Sequence, residues 1–198
     1  MPGVGVTVIF ATTTWMIART LVDHQASADQ FNQYVIGMQW LGLALFVPLA
    51  LGQAVFPRLI EKDRAGELSP AAILKPAAFT VAVVMGIALL ATLGTPLLQV
   101  VYGPEYPFSR WFVLAVLSAA ALGGAVNLLG YYIMARHSTE VWFGINLTSV
   151  AISSPILLLS PPETAFAAAL ILCLCYGGVC LAALLTIGRG PGKREQPI

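Results

Sequence analysis

Long uncharged stretches alternate with short charged ones along the chain. Six runs contain no Asp, Glu, Lys or Arg, namely 1–18, 30–57, 76–104, 111–135, 141–162 and 164–188. Each run is close to or above the roughly 17–25 residues that a helix needs to cross about 30 Å of hydrocarbon. Because open strand edges would leave backbone groups unpaired in lipid, these runs predict helices.

The predicted spans cover residues 4–22, 33–55, 77–101, 112–134, 141–159 and 165–187. We therefore predict an all-α polytopic membrane protein, a bundle of about six transmembrane helices. Residues 1–188 form this transmembrane lobe, and residues 189–198 form a disordered cytoplasmic tail. The largest predicted loop, 58–75, is predicted to be a charged, solvated connector on the cytoplasmic side.

The basic residues indicate which side of the membrane each connection occupies. Two of them follow the first and third spans, Arg19 and Arg110. Eight follow the second, fourth and sixth spans: Arg58, Lys62, Arg64, Lys75, Arg136, Arg189, Lys193 and Arg194. The positive-inside rule then places both termini in the cytoplasm, and we expect the protein in the inner (plasma) membrane of the cell.

Composition agrees with lipid as the main solvent and argues against several functions. Only 10% of the residues are charged, against about 25% in a soluble domain. The net charge of +1 lacks the excess of basic residues that is typical of nucleic-acid-binding proteins. No charged side chain falls at mid-membrane depth, and no paired carboxylates, Ser/His/Asp set or phosphate-binding glycine loop appears. We therefore expect neither an enzyme nor a cofactor.

Three cysteines lie in the last predicted span, at Cys173, Cys175 and Cys180. Cys173 and Cys175 are two residues apart and point to different faces of a helix, which makes a poor pair of metal ligands. They are interpreted as small apolar packing residues, and no metal site is predicted.

Small residues along the fourth predicted span indicate a close helix–helix contact. They recur at helical spacing, as Ala119, Gly123, Asn127 and Gly130. Such a stripe lets another backbone approach, and an asparagine within it can bond across the contact or meet a substrate. Prolines inside two other spans, Pro48 and Pro155, each remove a helical hydrogen bond, which predicts either a packing kink or a break beside a transport pathway.

Polar and aromatic side chains on the first two spans are the candidate chemistry. Thr12, Trp15 and Arg19 share one face of the first span. The second span adds Gln39, Trp40 and Gln53. Guanidinium groups bind phosphate and aromatic rings stack on sugars, so this set suits a polar or anionic sugar or phosphate substrate. Together with Asn127 these are the predicted substrate-binding residues. The alternative is ordinary packing, with Arg19 extending to the lipid headgroups.

Four short motifs follow one another along the chain. They are Trp15-Met16-Ile17-Ala18-Arg19-Thr20-Leu21, then Gln39-Trp40 followed by Pro48, Gly52-Gln53 and Pro57, then Tyr102-Gly103-Pro104-Glu105-Tyr106, and finally Met134-Ala135-Arg136. In this order they resemble the C-terminal half of lipid-linked oligosaccharide flippases, which belong to the multidrug/oligosaccharidyl-lipid/polysaccharide exporter superfamily. The first motif is similar to the family's stretch of Trp, aliphatic residues and Thr-Leu, and the second is similar to the family's next helix.

The resemblance covers essentially the whole chain and implies one lobe of a two-lobe transporter. Family members have about twelve to fourteen helices, so the N-terminal lobe would be absent here, as in a truncated or split reading frame. The implied partners are an isoprenoid-diphosphate oligosaccharide, membrane lipids, and a missing N-terminal lobe or a second copy of the chain. Two positions depart from the family pattern: Val35, where a polar or small residue is usual, and Arg19, where Asn is common.

Two other functions remain open from the sequence. The chain could be a structural membrane subunit or inactive remnant that transports nothing, in which case the face with Trp15 and Arg19 would pack dry against protein. It could also be a small-molecule exporter of the same superfamily, which predicts a narrower and more aromatic cavity.

Overall fold

The computed structural model of the chain describes residues 2–23, 27–103 and 108–189, with the backbone alone for residues 2–9 and 99. Seven helices and no strand occur in these ranges. The helices are α1 (Pro2–Asp23), α2 (Ala28–Arg64), α3 (Ala71–Leu93), α4 (Thr95–Tyr102), α5 (Arg110–Arg136), α6 (Thr139–Leu159) and α7 (Ala165–Gly188). The predicted all-α class is confirmed. The predicted tail falls almost wholly outside the described residues, as do four residues of the turn that follows Gly103.

Hydrogen bonds between the connections show that the long helices alternate in direction. The Ala165 backbone N–H donates to Gln30 Oε1 at 2.9 Å, which joins the starts of α7 and α2. At the other end of the bundle, Arg136 Nη1 donates to the Leu68 carbonyl at 2.7 Å. We call this second end, with connections 65–70 and 137–138, the basic end. Within the described chain it holds six of eight Lys and Arg residues, all except Arg19 and Arg110.

Helix α5 is the centre of the bundle and packs against α2, α3 and α7. Its glycines allow this, because a Cβ added to Gly123 would lie 3.1 Å from Leu45 of α2 and from Tyr176 of α7. A Cβ added to Gly130 would overlap the indole of Trp142 on α6. The small-residue stripe is therefore a helix–helix seam, as predicted.

Helix α2 is longer than the predicted span and shortens the predicted 58–75 loop. It passes through Pro57 and continues to Arg64, because the charged residues after Pro57 are good helix formers outside hydrocarbon. The connection that remains is six residues long and packs against the bundle. Leu68 is buried, and Arg136 Nη1, besides its bond to Leu68, lies 3.9 Å from Asp63 Oδ1.

The third predicted span is two helices, α3 and α4, with a break at Gly94. Pro96 has no N–H to give to the Thr92 carbonyl, which would otherwise be its helical partner. The Thr95 hydroxyl donates to that carbonyl at 2.8 Å, so the break leaves it satisfied. The sequence predicts the apolar run correctly, but it does not predict the end of α3 within that run.

Five of the described helices are long and apolar enough to cross a membrane: α2, α3, α5, α6 and α7. The other long helix, α1, corresponds to the first predicted span and packs mainly along α6. Since α5 is buried on most sides while α2 and α3 expose large apolar side chains, the bundle has its outer surface in lipid and its tightest packing at α5.

Candidate functional site

A partly open cavity of about 660 Å³ lies between α1 and α2, with α5 behind them. Its walls run from the middle of the helices to the basic end. The lining residues are Phe10, Ala11, Thr14, Leu45, Leu49, Gln53, Phe56, Gly123, Val126, Asn127, Tyr131, Met134, Thr139, Trp142 and Tyr176.

Two predicted site residues, Gln53 and Asn127, meet in this cavity beside Tyr131. Gln53 lies beside Tyr131 in the cavity wall. Gly52 makes the arrangement possible, because a Cβ at that position would overlap the Tyr131 ring and lie 3.1 Å from Asn127 Oδ1. Helices α2 and α5 thus approach closely enough to present two amides and a phenol together.

The Asn127 side chain carries an acceptor that nothing in the described chain satisfies. Its Oδ1 is buried and has no hydrogen-bond partner among the described residues. An unsatisfied buried oxygen costs about 1–3 kcal/mol, so native structures rarely keep one without a role. Asn127 lines the cavity, while this oxygen itself is covered and lies close to Gly52.

Apolar and aromatic side chains make up most of the remaining wall. The Phe10 ring stacks on Tyr176 with centroids 4.8 Å apart, and the Tyr131 ring packs against Phe56 at 5.2 Å. None of the described residues that line the cavity carries a charge. A wall of this kind binds uncharged groups that combine hydroxyls with apolar faces.

Helices α1 and α2 are tied together beyond the deep end of the cavity. The Tyr34 hydroxyl donates to the Thr14 carbonyl at 3.2 Å, and Tyr34 is itself buried. The residues of α1 and α2 that line the cavity extend from this bond toward the basic end. The hydrogen bond between Tyr34 and Thr14 therefore marks the end of the cavity away from the basic residues.

Three other predicted residues lie elsewhere on α1. Trp15 and Arg19 line a separate groove against α6, and Arg19 Nε donates to Asp23 Oδ2 at 2.9 Å. Thr12 is exposed. The face of α1 that turns toward the cavity carries Ala11 and Thr14 instead.

The two remaining predicted residues, Gln39 and Trp40, lie outside the cavity on α2. Gln39 is exposed. Trp40 packs among aromatic rings, 5.1 Å from Phe108 and 6.4 Å from Phe112 by ring centroids, and its Nε1–H donates to the Tyr102 hydroxyl at 3.0 Å. The contacts of Trp40 are those of a packing residue between α2, α4 and α5.

Several lining residues were not singled out from the sequence: Thr14, Tyr131, Trp142 and Tyr176. Tyr131 follows Asn127 by four residues and therefore shares its helix face, so that spacing could have indicated it. Trp142 and Tyr176 lie on α6 and α7, which gave no polar stripe. Nothing in their local pattern distinguishes them from core aromatics.

The three cysteines take packing positions along α7. Cys173 Sγ donates to the Ala115 carbonyl at 3.1 Å, and Cys175 Sγ to the Ser149 carbonyl at 3.5 Å. No group of three or more His, Cys, Asp or Glu side chains placed to hold a metal occurs among the described residues.

The fold and the spans define a class: the chain is a multi-pass, all-α membrane protein, with a largely apolar, partly open cavity between two of its helices. Comparison with protein families, with curated proteins and with solved structures finds no match to this chain.

Proposed function

We propose that the chain is one lobe of a transporter that moves a lipid-linked oligosaccharide across the membrane. The observation that carries this proposal is the cavity between α1 and α2, with Gln53, Asn127 and Tyr131 in its wall. The cavity is large for a packing defect and lies within the 300–1,000 Å³ or so that is typical of ligand sites. The order of sequence motifs supports the same reading.

The chemistry of the wall favours the sugar part of such a substrate. Sugar hydroxyls both donate and accept, which suits the neighbouring Gln53 amide and the unsatisfied Asn127 Oδ1, which a rotation of the Asn127 amide would turn into the cavity. Aromatic rings such as Phe56 and Trp142 offer flat apolar surfaces to sugar faces. A diphosphate needs cationic partners, and the described lining residues supply none, so that group belongs outside this cavity.

A second lobe would complete the transport pathway. Exposed amides at Gln39 and Gln53 stand on a helix that is otherwise apolar enough to span lipid. Leaving amides in hydrocarbon is costly, so this face of α2 suits a polar pathway shared with another unit. The unit is an N-terminal lobe or a second parallel copy of this chain, and the two lobes would rock to give alternating access.

We propose that the basic end faces the cytoplasm of a plasma-membrane protein. With the three native cysteines replaced by alanine, Ser69→Cys lies in the connection at the basic end and Ser160→Cys at the opposite end. A membrane-impermeant maleimide should label Ser160→Cys in intact cells and Ser69→Cys only after permeabilisation. The reverse pattern would contradict the proposed orientation.

Transport itself is tested by complementation. In cells that lack their oligosaccharide flippase, we expect this chain alone to restore no surface polysaccharide. Expressed beside a matching six-helix N-terminal half, it should restore export, measured by surface-glycan labelling. A chain that reaches the membrane and binds its partner half, yet never restores export, would reject the transporter and favour a structural subunit.

A further inference from the structure

A second concave site lies on the outside of the bundle, between α1 and α6. This lateral groove has a volume of about 370 Å³. It is lined by Trp15, Met16, Arg19, Thr20, Ser154, Leu157 and Leu158. Helix α1 separates it from the cavity described above, which uses residues 10, 11 and 14 on the opposite side of the same helix. The lateral groove is therefore independent of the proposed transport site.

A lipid is the natural occupant of this groove. Since the chain crosses the membrane, an outward-facing groove along two helices is filled by lipid unless protein covers it. The floor is apolar at Met16, Leu157 and Leu158, as an acyl chain requires. Trp15 is 65% exposed on the wall of the groove, one helical turn deeper than Arg19, where its ring offers apolar surface to an acyl chain.

The depth of Arg19 matches a headgroup. Arg19 precedes the last residue of α1, Asp23, by four residues, or about 6 Å along the helix axis. Helix α6 ends at the same end of the bundle with Leu159, two residues after Leu157. The polar rim of the groove therefore lies at the interface, and its apolar floor points into the hydrocarbon.

The charge at this rim is an ion pair rather than a lone cation. Arg19 and Asp23 are 61% and 49% exposed and are joined by one bond of 2.9 Å. Guanidinium has five N–H donors and carboxylate has several acceptor sites, so one shared bond leaves capacity on both groups. A neutral pair offers a phosphate site and an ammonium site side by side.

We propose that the lateral groove binds a zwitterionic phospholipid with a primary ammonium headgroup, such as phosphatidylethanolamine. Arg19 donates N–H bonds to the phosphate, and Asp23 accepts N–H bonds from the ammonium. A choline headgroup satisfies only the phosphate half, because its quaternary nitrogen has no N–H to donate. An anionic headgroup without an ammonium meets Asp23 with like charge.

Native mass spectrometry of the purified full chain tests this. The protein is exchanged into detergent with equal amounts of phosphatidylethanolamine, phosphatidylcholine and phosphatidylglycerol of identical acyl chains, and retained lipids are counted. We expect the wild type to retain phosphatidylethanolamine preferentially. Arg19→Gln should lower its retention roughly tenfold or more, since bonds to charged groups are the strong ones. Arg110→Gln, an exposed arginine near the same end, should change nothing.

Asp23→Asn gives the sharper result because it changes which lipid is preferred. With the carboxylate neutralised, Arg19 stands as an uncompensated cation, and the preference should move to phosphatidylglycerol. Equal retention of all three lipids by the wild type would overturn the proposal. So would a dimer in which the groove is covered by a second copy, or an Arg19→Gln variant with wild-type retention and an unchanged helical circular dichroism spectrum.

Discussion

Replacing Gly130 with leucine should abolish the native packing of the bundle, and this is the largest stability effect that the structure predicts. A Cβ alone at this position would overlap the indole of Trp142, which is buried. Leucine adds three further carbons, and the two positions lie on different helices, Gly130 on α5 and Trp142 on α6. Overpacking typically costs about 1–3 kcal/mol, and here we expect about 3 kcal/mol or more. That is a large share of a typical folding free energy.

A matched control and a rescue make this prediction specific. Gly144→Leu introduces the same side chain on α6, where a Cβ would meet no atom within 4 Å, and it should leave stability unchanged or slightly higher. Trp142→Ala in the Gly130→Leu background should restore part of the loss, since it removes the obstructing ring. The measurement is the thermal midpoint and monodispersity of each variant in detergent. Equal behaviour of Gly130→Leu and Gly144→Leu would show that α5 and α6 do not pack at this contact.

The position of the helices could be predicted from the sequence because charge is excluded from hydrocarbon. Each predicted span corresponds to a helix or, at 77–101, to two. The errors lie where other physics decides the boundary. Helix α2 continues past Pro57 into charged residues, since helix propensity does not depend on hydropathy. The break at Gly94 depends on Thr95 satisfying the carbonyl that Pro96 leaves free, which no hydropathy pattern records.

The candidate site was only partly predictable for a different reason. Helical periodicity identifies the residues that share a face, and Trp15 and Arg19 do lie together on one side of α1. It does not say which neighbour that face meets. In the fold, α1 packs mainly on α6, so the face with Trp15 and Arg19 borders α6, while Gln53 of α2 meets the face with Thr14. The roles of Trp15, Arg19 and Gln53 in substrate binding stay predictions.

Asn127 was easier to place because two constraints meet at one residue. It belongs to the small-residue stripe of α5, which had to face another helix, and it is the one amide in that stripe. Gly52 on α2 brings the facing helix close, and the Asn127 oxygen then remains in the cavity wall without a partner in the described chain. Because this oxygen has no partner in the described chain, its removal should affect substrate binding without lowering the stability of the fold.

Asn127→Leu should therefore lower substrate binding while leaving the fold as stable as before or more so. Leucine keeps the number and branching of the side-chain heavy atoms and removes an oxygen that is buried and unsatisfied, a change that is commonly neutral or stabilising. A sugar hydroxyl bound at this position would lose its acceptor. Leaving it unpaired costs about 1–3 kcal/mol, or roughly 5- to 150-fold in affinity. The measurements are the thermal midpoint in detergent and the retention of an isoprenoid-diphosphate oligosaccharide by the purified chain.

The control is Asn32→Leu, which removes an exposed amide of α2 that does not line the cavity and should leave retention unchanged. If Asn127 instead bonds across the seam to hold α2 and α5 together, leucine would destabilise the bundle by about 1 kcal/mol or more, and binding would fall only in proportion to the unfolded fraction. A lower midpoint with intact retention would thus assign Asn127 to packing. An unchanged or higher midpoint with weakened retention is expected only if the oxygen is kept free for a ligand.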